Sequence, residues 1–75
     1  MLIEQEQPMN SSTIRKAIYN FSTETLKIEF ISGAVYEYKD VSKEIYENFC
    51  VAESKGKFLN EHIKNKFEYS QLLNN

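Results

Sequence analysis

Two groups of side chains in this sequence have the types and spacing needed to bind a phosphate and a base. The first begins at Ser54-Lys55-Gly56-Lys57, where a capping hydroxyl, a glycine and two ammonium groups open an amphipathic stretch. A helix start offers free backbone N–H groups and partial positive charge, so it can hold an anion. Asn60 and Lys64 fall on the same outer helical face as Lys57. We predict phosphate binding along this face; the alternative is an ordinary capped turn beside a solvated face.

The second group is a pair of tyrosines on one predicted strand. Tyr36 and Tyr38 are two residues apart, so they project from the same face of that strand. Two aromatic rings on a sheet face can stack bases, as they do in proteins that bind single-stranded nucleic acid. The same rings can instead pack beneath the helices with their hydroxyls at the rim. The sequence leaves both interpretations open, here and for Tyr19.

The charged residues are unevenly distributed along this chain of 75 residues. Lys and Arg number 9 and Asp and Glu number 11, which gives a formal net charge of −2. This balance argues against a uniformly basic nucleic-acid-binding surface. Residues 55–66 nevertheless contain four lysines and a single acid. We therefore expect a basic patch on an acidic molecule, which would confine any polyanion to one side.

The sequence offers no convincing catalytic or metal-binding constellation. Cys50 and His62 suggest a nucleophilic pair, but both fall on predicted apolar helix faces and no orienting acid accompanies them. One cysteine and one histidine cannot supply the four ligands of a structural zinc site. We expect no catalytic residue, no metal and no cofactor, and hence a protein that is not an enzyme.

Membrane and secreted classes are also disfavoured. No apolar run approaches the roughly 18 residues that a membrane span needs. The first residues, MLIEQE, lack the cationic and apolar regions of a secretory signal. The single cysteine cannot form an intramolecular disulfide, which fits a reduced cytoplasmic setting. We predict a cytoplasmic protein with no membrane partner.

Three segments have strand character. Residues 13–20 are rich in β-branched and aromatic types, in a register that a bulge could reconcile. Residues 25–31 alternate apolar and charged side chains, the period-two pattern of a half-buried strand. Residues 34–39 follow a tight turn in which Gly33 is free to take a positive φ. These short connections predict an antiparallel meander.

Two helices are predicted after the strands. Ser42 is a good N-cap for a helix at 43–53, and Ser54 begins a second at about 56–66. The second has an apolar stripe made of Phe58, Leu59, His62 and Ile63. Strands followed by helices indicate an α+β fold, a three-stranded antiparallel meander with two helices packed on one face. Beneath them we expect buried strand residues, namely Leu26, Ile28 and Phe30.

The domain limits follow from the same patterns. Residues 1–11 have no periodicity and contain a proline, so we predict a flexible leader. Residues 12–72 form the single domain, and residues 73–75 form a tail.

The chain resembles the KTSC domain family from Ser11 to about Leu72. The features that carry the resemblance are Ser11-Ser12-Thr13-Ile14, the Tyr-X-Tyr of residues 36–38 and, most strongly, the segment 54–63, which reads SKGKFLNEHI. The family is named for a module at the C-terminus of some lysyl-tRNA synthetases, and it also occurs as free-standing small proteins. The resemblance implies a free-standing member here.

Two positions depart from the family pattern. Ser42 stands where proline is frequent, which still suits a helix start. Leu59 stands where an aromatic residue is common, so any base stacking at that position in other members is lost here. The association with a synthetase suggests RNA binding, as an expectation by analogy.

Together these features suggest a non-catalytic binding module for a nucleotide-phosphate ligand, either RNA or a small nucleotide, acting by sequestration. It would act alone or as a homo-oligomer. The predicted ligand-binding residues are Tyr36, Tyr38, Ser54, Lys55, Gly56, Lys57, Asn60 and Lys64. The alternative is a protein–protein interaction module or small inhibitor without a nucleic-acid ligand, which the acidic balance favours.

Overall fold

The protein is built on one five-stranded antiparallel sheet whose strands lie in chain order. The computed structural model describes residues 3–73. The elements along the chain are β1 (Glu4–Pro8), β2 (Ile14–Asn20), β3 (Thr25–Phe30), β4 (Val35–Tyr38), α1 (Lys43–Val51), α2 (Lys55–Phe58), a π-helical turn (Leu59–Ile63), here called the π turn, and β5 (Tyr69–Leu73). The α+β class is confirmed, and the predicted meander forms the centre of the sheet as β2, β3 and β4.

The sheet has two strands more than the three predicted. β1 forms within the segment expected to be a flexible leader, and β5 forms after the last predicted helix, where no strand was predicted. Neither strand alternates apolar and polar residues, since β1 reads EQEQP and β5 reads YSQLL. Both are held by backbone hydrogen bonds to a neighbouring strand, β1 to β2 and β5 to β4. Such bonds do not require alternating side chains, so the sequence shows no period-two pattern at either strand. Residues 1, 2, 74 and 75 of the predicted leader and tail lie outside the described residues.

A bulge in β2 resolves the ambiguous register of that strand. Its pairing with β3 shifts between Ile14 and Lys16. As a result Ile14, Ala17 and Tyr19 are all buried, while Ile18 is only partly buried. The extra residue thus turns the β-branched start of the strand toward the core, as the sequence suggested.

The core lies between the inner face of the sheet and the helical segments. Leu26 and Ile28 of β3 are fully buried together with Phe49 of α1 and Ile63 of the π turn. Phe30 was predicted to join them, but it is only partly buried. Its ring packs edge-on against Tyr36 and borders a cavity that separates it from the π turn.

Tyr19 and Tyr46 belong to the core rather than to a binding surface. Their rings are stacked, with centroids 4.5 Å apart and an interplanar angle of 8°. The Tyr19 hydroxyl donates to the carbonyl oxygen of Val41 at 2.6 Å, and the Tyr46 hydroxyl donates to Gln5 Oε1 at 2.7 Å. Because both hydroxyls have partners, burying the rings leaves no unpaired polar group. The second bond ties β1 to α1.

The first helix begins where the sequence indicated. Ser42 is its N-cap, and the Ser42 hydroxyl accepts a hydrogen bond from the backbone N–H of Ile45 at 3.2 Å. Tyr46 and Phe49 are the fully buried residues of the helix. Val41, immediately before the cap, is also buried and completes the apolar contact at the helix start.

The second helix is shorter and less regular than predicted. α2 is one turn long and continues into the π turn, where Lys64 N–H donates to the Leu59 carbonyl oxygen at 2.7 Å. The helical backbone ends at Ile63 instead of residue 66, because Lys64 is extended and Asn65 has a φ of 70°. Asparagine adopts this left-handed conformation more readily than most residues. No helix within residues 3–73 is long and apolar enough to cross a membrane.

Candidate functional site

A cavity of about 360 Å³ lies between the β3–β4 hairpin, the first residue of β5 and the π turn. Its wall is aromatic on the sheet side and polar on the side of the π turn. The lining residues are Thr13, Phe30, Ser32, Ala34, Tyr36, Tyr38, Leu59, Asn60, Lys64, Asn65 and Tyr69. We call it the tyrosine cavity. An apolar wall with a few convergent polar groups is typical of small-molecule sites.

Three tyrosine rings form the wall on the sheet side. Tyr36 and Tyr38 share one face of β4, as predicted, and Tyr69 of β5 pairs with Tyr38. The Tyr36 and Tyr69 rings are stacked, with centroids 5.5 Å apart and an interplanar angle of 19°. Tyr38 lies 6.5 Å from Tyr36 and 5.7 Å from Tyr69. The three rings therefore form one cluster on two adjacent strands.

The three rings differ sharply in exposure. Tyr38 is 2% exposed, Tyr36 is partly buried, and Tyr69 is 51% exposed. Burial, followed by the neighbouring Tyr36 and Tyr69, raises the pKa of Tyr38 to about 12. Tyr38 is thus a neutral core residue at the floor of the cavity. Tyr69 is the ring that a ligand can reach most easily.

Tyr69 is a site residue that was not predicted from the sequence. Its position beside Tyr36 and Tyr38 depends on β5 pairing with β4, and no sequence pattern marked β5 as a strand. Thr13, Ser32 and Asn65 were missed for the same kind of reason, since each lies in a connecting segment. An asparagine after the helical stretch was the one available signal, because asparagine often follows a helix in the left-handed conformation.

The polar wall comes from the π turn and the residues that follow it. Asn60 lies in the π turn, Lys64 is its C-cap residue, and Asn65 takes the left-handed conformation next to it. All three line the tyrosine cavity and have exposed side chains. Among the described residues that line the cavity, Lys64 is the one with a charged side chain. Asn60 and Lys64 are therefore brought together with Tyr36 and Tyr38.

The helix start at Ser54 faces a different part of the surface. Ser54 and Lys57 border a shallow depression together with Glu53 and Glu61. The Ser54 hydroxyl accepts the Lys57 backbone N–H at 3.3 Å, which is an ordinary N-cap. Two carboxylates and one ammonium group therefore border the same depression.

Lys55 and Gly56 lie at the start of α2, where each has a neighbour of its own. The Lys55 ammonium donates to the carbonyl oxygen of Ala52, so it closes the turn between the helices. Gly56 is backed by Thr13, whose Oγ1 would lie 4.0 Å from an added Cβ, an ordinary van der Waals distance. The expected common face of Lys57, Asn60 and Lys64 is not formed, because α2 gives way to the wider π turn after one turn.

Cys50 and His62, considered above as a possible nucleophilic pair, lie in different surroundings. His62 is exposed and packs against the Phe58 ring at a centroid distance of 4.6 Å, so the prediction that it is buried is wrong. Cys50 is partly buried beside Tyr46, on the side of α1 that faces β1. Within residues 3–73 there is no cluster of three or more His, Cys, Asp or Glu residues suited to a metal ion.

Comparison with known proteins places this chain and its fold in a family. The family model described as the KTSC domain matches residues 10–67, which span every lining residue except Tyr69. The chain belongs to the KTSC domain family. A KTSC domain protein from Yersinia pestis, known from a crystal structure, superposes with a TM-score of 0.88 at 34% identity. The match covers 93% of this chain and 99% of that one, so the resemblance of sequence extends to the whole fold.

Relatives of two sizes carry this KTSC domain. A lysine–tRNA ligase of Nostoc punctiforme is 46% identical over 61 residues, which are 81% of this chain but only 11% of the ligase. A protein of Tsukamurella paurometabola is 38% identical over 61 residues, and the match covers 91% of its length. The chain thus spans about a tenth of the ligase and nearly all of the small relative. The described residues form a single KTSC domain.

Proposed function

We propose that this KTSC protein is a non-catalytic binding module for a nucleotide-phosphate ligand, either RNA or a small nucleotide, which it holds in the tyrosine cavity. The observation that carries the proposal is the meeting of an accessible aromatic ring, Tyr69, with two amides and one ammonium group around a single cavity. The ligand is held without being transformed, so the protein acts by sequestration in the cytoplasm. The occurrence of a similar segment within a lysine–tRNA ligase supports a partner of this class by analogy alone.

The chemistry of the cavity suits a base and a phosphate better than a purely apolar ligand. Aromatic rings stack on bases of any identity, since every base has a π face. Asn60 and Asn65 each present both a donor and an acceptor, which the edge of a base requires. Lys64 supplies positive charge, and it makes no ion pair within residues 3–73 that would compete for it.

An NMR titration with short single-stranded RNA and a panel of nucleotides tests the proposal. We expect shifts of the backbone amides of Tyr36, Asn60, Lys64 and Tyr69, and none of comparable size around Ser54. Lys64→Gln is expected to weaken binding about tenfold, as loss of one charge-assisted contact would.

Lys57→Gln is the matched control for Lys64→Gln. Both lysines are exposed, and both variants remove one positive charge, but Lys57 lies in the depression with Glu53 and Glu61. The control should retain nearly wild-type affinity. Equal losses in the two variants would mean that binding follows total charge and does not occur in the tyrosine cavity.

A second candidate function is protein–protein interaction through the free edge of β5. β1, at the other edge of the sheet, is protected by Glu4, Glu6 and Pro8, as edge strands usually are. β5 has no charged residue, and it exposes Tyr69, Leu72 and Leu73. An uncharged apolar strand suits this edge, and β5 of a second copy of the chain meets that requirement.

Sedimentation of the protein alone tests the second candidate. Association through β5 predicts a concentration-dependent dimer that Ser70→Lys abolishes, since it places a charge in the middle of the edge strand. A protein that stays monomeric at high micromolar concentration would rule out pairing between copies.

A further inference from the structure

We infer that the tyrosine cavity binds one nucleotide unit bearing one phosphate, and not a longer stretch of nucleic acid. This inference rests on the proposed function and specifies its ligand: a base stacked against Tyr69, with its phosphate at Lys64. The chemistry is that of a free nucleoside monophosphate or of a single nucleotide within an RNA strand. Three features of the cavity limit the ligand in this way: ring exposure, cation number and volume.

The exposure of the rings limits how many bases can stack. Tyr38 is 2% exposed and closes the floor of the cavity, so its faces are not free for a base. One face of Tyr36 is covered by Tyr69, and its neighbour Phe30 approaches it edge-on at 5.7 Å. Tyr69 is 51% exposed and keeps a surface toward solvent. The arrangement provides one stacking platform, where the sequence predicted two.

The charge around the cavity limits the number of phosphates. Lys64 is the one charged side chain among the described residues that line the cavity. Lys57 borders another depression and has Glu53 and Glu61 beside it, while the Lys55 ammonium is bound to the Ala52 carbonyl. Within the cavity, a chain of phosphates would therefore meet a single ammonium group. This predicts one neutralised phosphate for each molecule bound.

The volume of the cavity agrees with this count. At about 360 Å³ it lies near the lower end of the range for small-molecule sites, which runs from about 300 to 1,000 Å³. The amide side chains of Asn60 and Asn65 stand beside Lys64 on the same wall. They can therefore reach the polar edge of a base whose phosphate is held by Lys64.

Calorimetric titrations with ligands of increasing length test the inference. We compare nucleosides, their 5′-monophosphates and diphosphates, and RNA of two to eight nucleotides. The monophosphate should bind about tenfold more tightly than the nucleoside, as expected for one charge-assisted contact. A further phosphate or nucleotide should change the affinity per site less than threefold. The plot of log affinity against log salt should have a slope near −0.7, the value for about one phosphate on a single strand.

Two variants connect these results to the cavity. Lys64→Gln should remove the difference between nucleoside and monophosphate, while Lys57→Gln should preserve it. Tyr69→Leu should weaken nucleoside and monophosphate alike, and Tyr69→Phe should restore both, because the phenyl ring still stacks. Tyr69 is half exposed, so neither change should prevent folding.

These outcomes test the single-nucleotide inference separately from the wider proposal that the cavity binds a nucleotide-phosphate ligand. If RNA binds but monophosphates do not, or if the salt slope reaches −2 or steeper, the single-nucleotide inference is overturned and the wider binding function stands. If monophosphates and RNA bind equally per site, both proposals are supported, and the length series identifies which source is preferred. If none of these ligands binds, both proposals fall.

Discussion

The three tyrosines of the cavity differ in solvent exposure according to the position of their strand in the sheet. Tyr38 and Tyr69 are direct partners across β4 and β5, yet one is 2% exposed and the other 51%. The difference arises because β4 is an inner strand and β5 an edge strand. Tyr38 therefore contributes to the core, while Tyr69 can contact a ligand.

The ionisation of Tyr38 gives a prediction for the alkaline pH range. Burial and the neighbouring tyrosines raise its pKa to about 12, against about 10 for a free phenol. Because folding raises the pKa of Tyr38, the contribution of its neutral side chain to folding stability is fully present below about pH 10. That contribution is lost as the pH rises through about 12. Urea denaturation of wild type should show a falling free energy of unfolding across this window.

Tyr38→Phe should flatten that fall, by no more than about 1.4 kcal/mol per pH unit, the limit for one proton. Burial also raises the pKa values of Tyr19 and Tyr46, so part of the fall remains in the variant. An identical decline in wild type and variant would mean that Tyr38 titrates normally and is not part of the core.

At the level of elements, we expect the phenylalanine of α1 to contribute more to folding stability than the phenylalanine at the end of β3. Phe49 of α1 is fully buried, whereas Phe30 at the end of β3 borders the cavity and is partly exposed. Phe49→Ala should cost about 3–5 kcal/mol, a large part of the stability of a small domain. Phe30→Ala should cost about half as much, because its ring is already partly in contact with solvent.

Chemical denaturation of the two variants in parallel measures this difference. Phe49 and Phe30 are the same residue type, so truncation to alanine removes the same atoms, and the difference in burial outweighs the smaller difference between helix and strand propensity. Equal costs would favour the sequence-based expectation, in which Phe30 is as deeply buried as Leu26 and Ile28.

At the level of the whole molecule, β1 makes the N-terminal segment part of the fold. Its residues pair with β2 from Glu4 opposite Asn20 to Pro8 opposite Lys16. The Tyr46 hydroxyl also reaches from α1 to Gln5. Deleting residues 1–8 should cost on the order of 2 kcal/mol, since several ladder hydrogen bonds are lost and some chain entropy is regained. The melting temperature should fall by about 10 °C.

Hydrogen exchange gives an independent measurement of β1. The β2 amides that point toward β1 should be protected in the full chain and exchange faster after the deletion. Gln5→Ala is the control, because it removes the partner of Tyr46 but keeps the backbone ladder. A truncated chain with unchanged melting temperature would restore the interpretation of this segment as a flexible leader.

The sequence by itself determined the features that depend on neighbouring residues. The alternation in β3, the Ser42 cap of α1 and the bulge in β2 each depend on a few consecutive side chains. The left-handed conformation at Gly33, with a φ of 100°, is equally local. The family was also identifiable from the sequence, because its motifs lie at ordered positions along most of the chain.

Only the tertiary structure decided the two edge strands and the composition of the cavity. β1 and β5 are held by backbone hydrogen bonds, and every residue has a backbone carbonyl to accept one and, proline excepted, an N–H to donate one, so these strands leave no periodic pattern. The π turn separates Lys57 from Asn60 and Lys64, although regular helical spacing would have put them on one face. Tyr69 joins Tyr36 through a strand pairing that spans half the chain. Contacts of this kind depend on the whole fold, because they join residues whose local sequences carry no information about one another.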